Sequence, residues 1–519
     1  MKRILLVVCA FVVIFGVCAV SLRERTEVTA VTAASRMSES TQITLGSDHS
    51  CALLTSGVLK CWGANNQGQL GLGNTNDYGD DMSETGTGLP AVNLNQAVKS
   101  VHAGYHHTCA IRNDHSTVCW GLNYWGELGI GTRVNVGDSV GQMGSALIPV
   151  DLGTNYATTL SAGLEFTCAI LNTGEVKCWG DNTYGQLGVS GVHGSASDTM
   201  GTNLPAVDLG SGRTAKALAT GKKHACAILD NDTVKCWGTN TYGQLGSGDT
   251  ISQFYPIIGT YPTVDLGTGR TAKAITAGSF HTCAILDNDT LKCWGFNASG
   301  QLGTGSTQNL GDASGEMGDY LLAVNLGTDR TAVAVAASKR GDLDYTCAIL
   351  DDATIKCWGA NDFGQLGQGD GDNRGDSAGE MTALAAVNLG TGMTVTALDV
   401  GAAHNCVILT STNIKCFGHG NNGKLGNGSV AELGKSSITM GNNLPTVNLD
   451  IAPVLTATPT RSSTKTPSKT LTRSKTKTPT KTLTRSKTKT PTKTLTRSKT
   501  KTPTKTLTRS RTATKIKTP

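Results

Sequence analysis

The sequence predicts an all-β protein, a seven-bladed β-propeller made of seven repeats of about 58 residues and followed by a disordered C-terminal tail. Three observations predict it. Fourteen cysteines fall into seven pairs of one spacing, a glycine-rich element follows every pair, and no stretch keeps a helical period.

The chain opens on a targeting segment, residues 1–22. Lys2 and Arg3 precede an apolar run from Ile4 to Val20, with small residues at Ala19 and Ser21. That layout is expected of a secretory signal peptide or, left uncleaved, of an N-terminal anchor. Cys18 does not read as a lipid-attachment site, because Val17 stands before it where a small residue is required.

The repeats fill residues 41–450. The pairs are Cys51 with Cys61, Cys109 with Cys119, Cys168 with Cys178, Cys226 with Cys236, Cys283 with Cys293, Cys347 with Cys357 and Cys406 with Cys416, and first cysteines recur every 57 to 64 residues. In the unit Cys226–Cys236, two strand-like runs flank the turn Asp230-Asn231-Asp232. A three-residue loop sets Leu229 opposite Thr233 and therefore Cys226 opposite Cys236. Opposed residues on antiparallel strands are within disulfide reach, so a bridge inside each hairpin is the expected pairing. Such bridges fit an oxidising compartment. Two more runs per unit, such as Ala215–Ala219 and Leu204–Leu209, read as further short strands. Gln42–Leu45 supplies the first alternating run and Leu444–Leu449 the last apolar one, so seven whole units can close end to end and leave no long free sheet edge.

From residue 451 the composition turns to Thr, Lys, Pro, Ser and Arg, with a twelve-residue repeat at Arg473, Arg485 and Arg497. Such a segment, 451–519, cannot bury a core. Residues 461–519 carry 19 Lys and Arg and no acid, so the +6 of the whole chain leaves residues 1–460 at −13. An acidic body is a poor nucleic-acid binder, whereas the tail suits an anionic polymer, a cell wall or a membrane surface.

Three recurring elements carry a family resemblance. These are Gly-x-x-His-x-Cys (Gly221 to Cys226), Cys-Trp-Gly, and Asn-x-x-Gly-Gln-Leu-Gly (Asn240 to Gly246). On these residues the chain resembles the regulator of chromosome condensation repeat family, in the cysteine-paired form of its exported members. The resemblance implies a seven-bladed propeller that recognises partners through variable loops. The family includes an exchange factor for a small nuclear GTPase, but no motif here maps onto its catalytic loop.

Candidate sites are weighed against the repeat itself. His49, His107, His224, His281 and His404 could suggest metal, yet Phe166 and Tyr345 take the same place and suit no metal, so packing is expected. The glycines are expected to serve turns rather than phosphate. The six blade tryptophans are expected between blades. Trp125 lies off the repeat register, beside Tyr124, and the two are candidate partner-binding residues. Arg340 and Asp342, in the insertion that lengthens one unit, are a second candidate, whereas Arg374-Gly375-Asp376 repeats a Gly-Asp found in other units. The acidic connectors, such as 311–319, lack calcium-loop spacing. Asn231, Asn288, Asn297 and Asn427 begin N-glycosylation sequons.

The reading is a monomeric, secreted or surface-held scaffold that binds a protein partner, with no catalytic group, metal or cofactor and no nucleic-acid ligand. The alternatives are a guanine-nucleotide exchange factor with a chromatin-binding tail, and a wall-associated structural protein held by its tail.

Overall fold

The computed structural model describes residues 39–451 except 254–257, 261, 340, 342 and 343. The leader, the tail, Arg340 and Asp342 lie outside the described residues. Within them the chain forms seven antiparallel sheets in chain order. Blade 4 is representative, with an inner strand Ala215–Thr220, a middle strand His224–Leu229 and an outer strand Val234–Gly238. Middle strands are buried along their whole length, as at HACAIL, because both faces meet a neighbouring blade.

The hairpin register is the one the cysteines require. Cys226 stands opposite Cys236, and the Leu229 amide donates to the Thr233 carbonyl across the three-residue turn. All seven hairpins are bridged: Cys51 to Cys61, Cys109 to Cys119, Cys168 to Cys178, Cys226 to Cys236, Cys283 to Cys293, Cys347 to Cys357 and Cys406 to Cys416. Their Cα atoms stand 4.0–4.1 Å apart, somewhat closer than the ~4.5 Å of an unbridged pair of this type. The fourth run differs from expectation. In six blades it is not a ladder strand, and only blade 7 forms one, Thr446–Val447. Proline does not decide this, since Pro445 stands in the blade 7 run that pairs, whereas the runs at Leu321–Val324 and Leu384–Val387 have no proline and stay out of the ladder. A single bond holds the run, as from the Val207 amide to the Val176 carbonyl.

The core lies between blades. Each cluster joins the disulfide and middle strand of one blade to the tryptophan of the next: Cys51, Cys61 and Leu70 pack with Val101 and Trp120. The cluster around Cys406, Cys416, Ile408 and Phe417 also holds Ile43, Leu54 and Trp62 of blade 1. The ring is therefore closed, and no blade keeps an open face.

Two circular sets of hydrogen bonds stitch the blades. On the inner side, each histidine meets a hydroxyl of the following blade: His49 Nε2 to Thr108, His107 to Thr167, His224 to Thr282 and His281 to Thr346, all at 2.9–3.0 Å. His404 meets Ser50 of blade 1 at 2.9 Å. The entry glycine is needed because the ring of its histidine lies where a side chain would grow; a Cβ at Gly46 would collide with His49. Each blade tryptophan also donates its indole N–H backwards, Trp120 to the Gln69 carbonyl and Trp179 to that of Glu127, both at 3.0 Å. Trp62 donates to the Lys424 carbonyl of blade 7 at 3.0 Å, across the closure.

The closure has one further contact. The Lys424 ammonium, buried, lies 2.5 Å from Asp48 of blade 1. Burial alone would raise the Asp48 carboxyl, but the charge and hydrogen bond of Lys424, with the Ser47 hydroxyl, hold it well below the usual carboxylate range.

On the outer side, the lysine before the second cysteine reaches two connectors. Lys292 donates to the Leu266 and Gly318 carbonyls, and Lys415 to those of Leu389 and Gly441. Lys60 does the same across the closure, to Gly86 and Asp450. Blade 2 has Val118 there, and Arg112 on the middle strand reaches the Gly144 carbonyl instead.

Candidate functional site

The candidate site is one rim of the ring. Inner strands end, middle strands begin and outer strands end at the same side, so the Gly-x-x-His loop and the Asn-x-x-Gly-Gln-Leu-Gly turn share that side. The hairpin turns share the other.

The Asn-x-x-Gly turn is built to hold one side chain out. Asn240 Oδ1 accepts from the Leu245 amide, and its Nδ2 donates to the Asp249 carbonyl, tying the turn to the connector. Gln244 Oε1 accepts from the amide of the residue two before it, Tyr242. The same bonds recur around Trp125, Tyr184 and Phe363. The residue ahead of the first glycine is thereby presented alike in blades 1 to 6 and is aromatic in four of them, whereas blade 7 has Gly420 and Lys424 in place of the asparagine and glutamine. Trp125 is therefore in register after all: it takes the place of Tyr184, Tyr242 and Phe363, not that of a blade tryptophan. The sequence carried this signal at one position of a motif already noted. The second glycine pair explains itself: Gly300 and Gly375 meet backbone to backbone with φ of +80° and +90°, and a methyl at Gly375 would come 2.6 Å from the Gly300 carbonyl.

These rings extend into a band. Tyr124, 61% exposed, stands edge-on to Trp125 at 5.1 Å. Tyr184 lies under the Lys223 ammonium at 3.6 Å, a cation–π contact. Tyr242 packs with Phe280 and Phe296 at 5.3 and 4.6 Å, Lys222 sits 5.5 Å from Phe280, and Phe363 lies 4.3 Å from the His419 ring.

Acids stand behind the first rings. Glu127 occupies the place of the motif glutamine, fully buried, and its Oε2 accepts from the Trp125 amide at 2.8 Å. Burial raises its carboxyl to about 7, with Glu165 adding to the rise. Burial also raises Glu165, against the pull of Lys223 and Lys222. The surface so formed is amphipathic, with flat apolar faces edged by both signs of charge. It is suited to recognition. Among the described residues, no three His, Cys, Asp or Glu side chains converge on a metal position.

The remaining sequence candidates fall elsewhere. Asn231 and Asn288 are exposed in hairpin turns on the opposite side from the band. Asn297 is buried, and its amide donates to the Ser306 and Gln308 carbonyls, so the expectation of a sugar acceptor fails there. Asn427 is half-buried with Oδ1 turned inward. The Arg374 guanidinium is held on Asp370 at 2.6 Å. Connector acids bind backbone: Glu316 Oε2 accepts from the Gly311, Asp312 and Ala313 amides.

Comparison with known proteins agrees with this architecture. Models of the regulator of chromosome condensation (RCC1) repeat match residues 41–69, 157–186, 215–244 and 272–301, and in a second form 56–111 and 232–285. The chain is 28% identical over 395 residues to the ultraviolet-B receptor UVR8 of Arabidopsis thaliana, covering 75% of this chain and 79% of that one. It is 30% identical over 264 residues to the secretion-regulating guanine nucleotide exchange factor of Bos taurus, covering 48% of this chain and about half (51%) of the relative. The solved structure of yeast RCC1 (Prp20) bound to Kap60 superposes with a TM-score of 0.54 at 19% identity, over 82% of this chain and 87% of that one, which speaks for the fold alone. The repeat models and relatives show that the chain carries regulator of chromosome condensation repeats, here arranged as a seven-bladed propeller, and its cysteine pairs fit the disulfide-paired type of such repeats.

Proposed function

We propose that the protein is a non-enzymatic binding scaffold that works outside the cell, in the medium or held at the surface, and grips a protein partner with the aromatic band. The observation that carries this reading is the band itself: Tyr124, Trp125, Tyr184 and Tyr242 partly exposed together on one rim. The leader-like residues 1–22 and seven disulfides support export. The basic tail suits attachment to an anionic wall polymer or membrane.

Binding is tested by comparing captured surface proteins of the host between wild type, the double variant Tyr124→Ser/Tyr184→Ser, and Asn288→Ala on the opposite rim. The band variant is expected to lose capture about 30-fold, the scale of losing one hot spot, while Asn288→Ala keeps it. The reverse pattern sinks the assignment of the rim. Recovery of the chain from the cytosol with fourteen free thiols sinks the exported reading.

A second reading is favoured by the likeness to the bovine exchange factor: nucleotide exchange on a small GTPase. Acceleration of labelled-nucleotide release from a panel of host GTPases would support it and displace the scaffold reading.

A further inference from the structure

The inner strands enclose a channel whose cavity measures about 190 Å³. Its wall is kept open by small residues, among them Ala162, Ala219 and Ala277. Two charged side chains project into it. Lys339 follows the inner strand of blade 6 and reaches across the ring, its ammonium donating to the Ala162 carbonyl of blade 3 at 2.6 Å. Asp399 lies on the inner strand of blade 7. Its Oδ2 accepts from the Leu45 amide at 2.8 Å, and its Oδ1 from the Val400 amide at 2.9 Å.

The two charges feel one another across the cavity but are bonded in opposite directions, one to blade 3 and one to blade 1. Lys339 therefore keeps further donors, and Asp399, which the Thr44 hydroxyl also bonds, keeps lone pairs beyond those bonds, and both residues line the cavity. Burial works against both charges: it lowers the Lys339 ammonium to about 8 and raises the Asp399 carboxyl. Hydroxyls complete the wall. Ser161 and Thr220 bond each other at 2.8 Å, while the Thr276 hydroxyl has no hydrogen-bond partner among the described residues.

A free anion would satisfy Lys339 and meet Asp399 as a like charge; a free cation would do the reverse. One small molecule with both charges satisfies both ends. We propose that the channel binds a small zwitterion of the amino-acid or betaine class, its carboxylate on Lys339 and Thr276 and its cationic end toward Asp399. The cavity is large enough for such a molecule. This site is separate from the aromatic band and does not depend on the partner proposed for it.

The test is calorimetric titration of the folded, oxidised protein with glycine, glycine betaine, acetate and tetramethylammonium. One of the two zwitterions is expected to bind one to one, at least 10-fold tighter than acetate or tetramethylammonium. Lys339→Met and Asp399→Asn are each expected to weaken it at least 10-fold. Thr276→Leu, which fills the cavity and leaves both charges in place, is expected to abolish it and decides the matter where a charge variant does not fold. Binding of none of the four probes, acetate binding as tightly as the zwitterions, or unchanged affinity in Thr276→Leu overturns the proposal.

Discussion

Reduction of the seven disulfides is expected to unfold the ring at physiological temperature. Each bridge links residues ten apart, and closing so short a loop in the unfolded chain contributes about 2.5–3 kcal/mol. Seven of them sum to ~17–21 kcal/mol, beyond the ~5–15 kcal/mol by which most domains are stable. The sulfurs sit between blades and are almost wholly buried, so thiol reagents reach them only after local opening. Reduction in mild urea, followed by alkylation and removal of urea, should therefore give a chain without a cooperative melt. Removing one pair, Cys226→Ala/Cys236→Ala, should cost about 2–4 kcal/mol and leave the ring folded. A reduced chain that melts within a few degrees of the oxidised one would show that burial between blades suffices without the bridges.

Acidification from pH 7 to 5 is expected to destabilise the folded ring by about 4 kcal/mol or more. Burial between blades lowers His49, His107 and His224 to about 3 each, against an ordinary value of about 6.5. Between those values the unfolded chain binds protons that the folded one refuses. Stability is therefore full above pH 6.5 and falls as pH drops toward 3. Each histidine loses about 2 kcal/mol by pH 5. His102, which burial lowers to about 4, acts in the same direction, as does His404, held well below its usual range by burial and Lys424. Glu127, raised to about 7 by burial, works the other way and restores roughly 2 kcal/mol over the same span. Urea midpoints measured from pH 7 to 5 should fall steadily. His224→Phe, the residue type blade 3 already uses at Phe166, should flatten the slope by about one proton. A midpoint independent of pH would mean that the histidines are not buried neutral.

Seven units, the cysteine register and the roles of histidine and tryptophan were legible because each recurs with fixed spacing, and recurrence separates a structural demand from an accident. The outer lysines were not. Lys235 sits on an alternating strand where a lysine reads as solvent-facing, and nothing in its spacing says that the ammonium will turn back onto connector carbonyls. Its signal was recurrence at Lys60, Lys177, Lys292, Lys356 and Lys415 with one exception, Val118. The fourth run was over-read as a strand: its apolar content and length favour one, yet in six blades a single backbone bond holds it, with or without a proline. Of the recognition rim, Tyr124 and Trp125 were found singly. The band needed the geometry, because Phe280 and Phe296 join Tyr242 from different loops. The channel pair Lys339 and Asp399 had no sequence signal: they are 60 residues apart, and what relates them is the circle.

Closure of that circle can be read directly from six indole N–H groups. Trp120, Trp179, Trp237, Trp294 and Trp358 each donate to the blade before them, within the chain's run. Trp62 alone of the blade tryptophans donates across the meeting of blade 7 with blade 1, to Lys424. Hydrogen exchange followed by NMR on the indole resonances should find Trp62 as slow as the other five. A Trp62 indole that exchanges within the dead time, while the others stay protected, would mean an open array of blades.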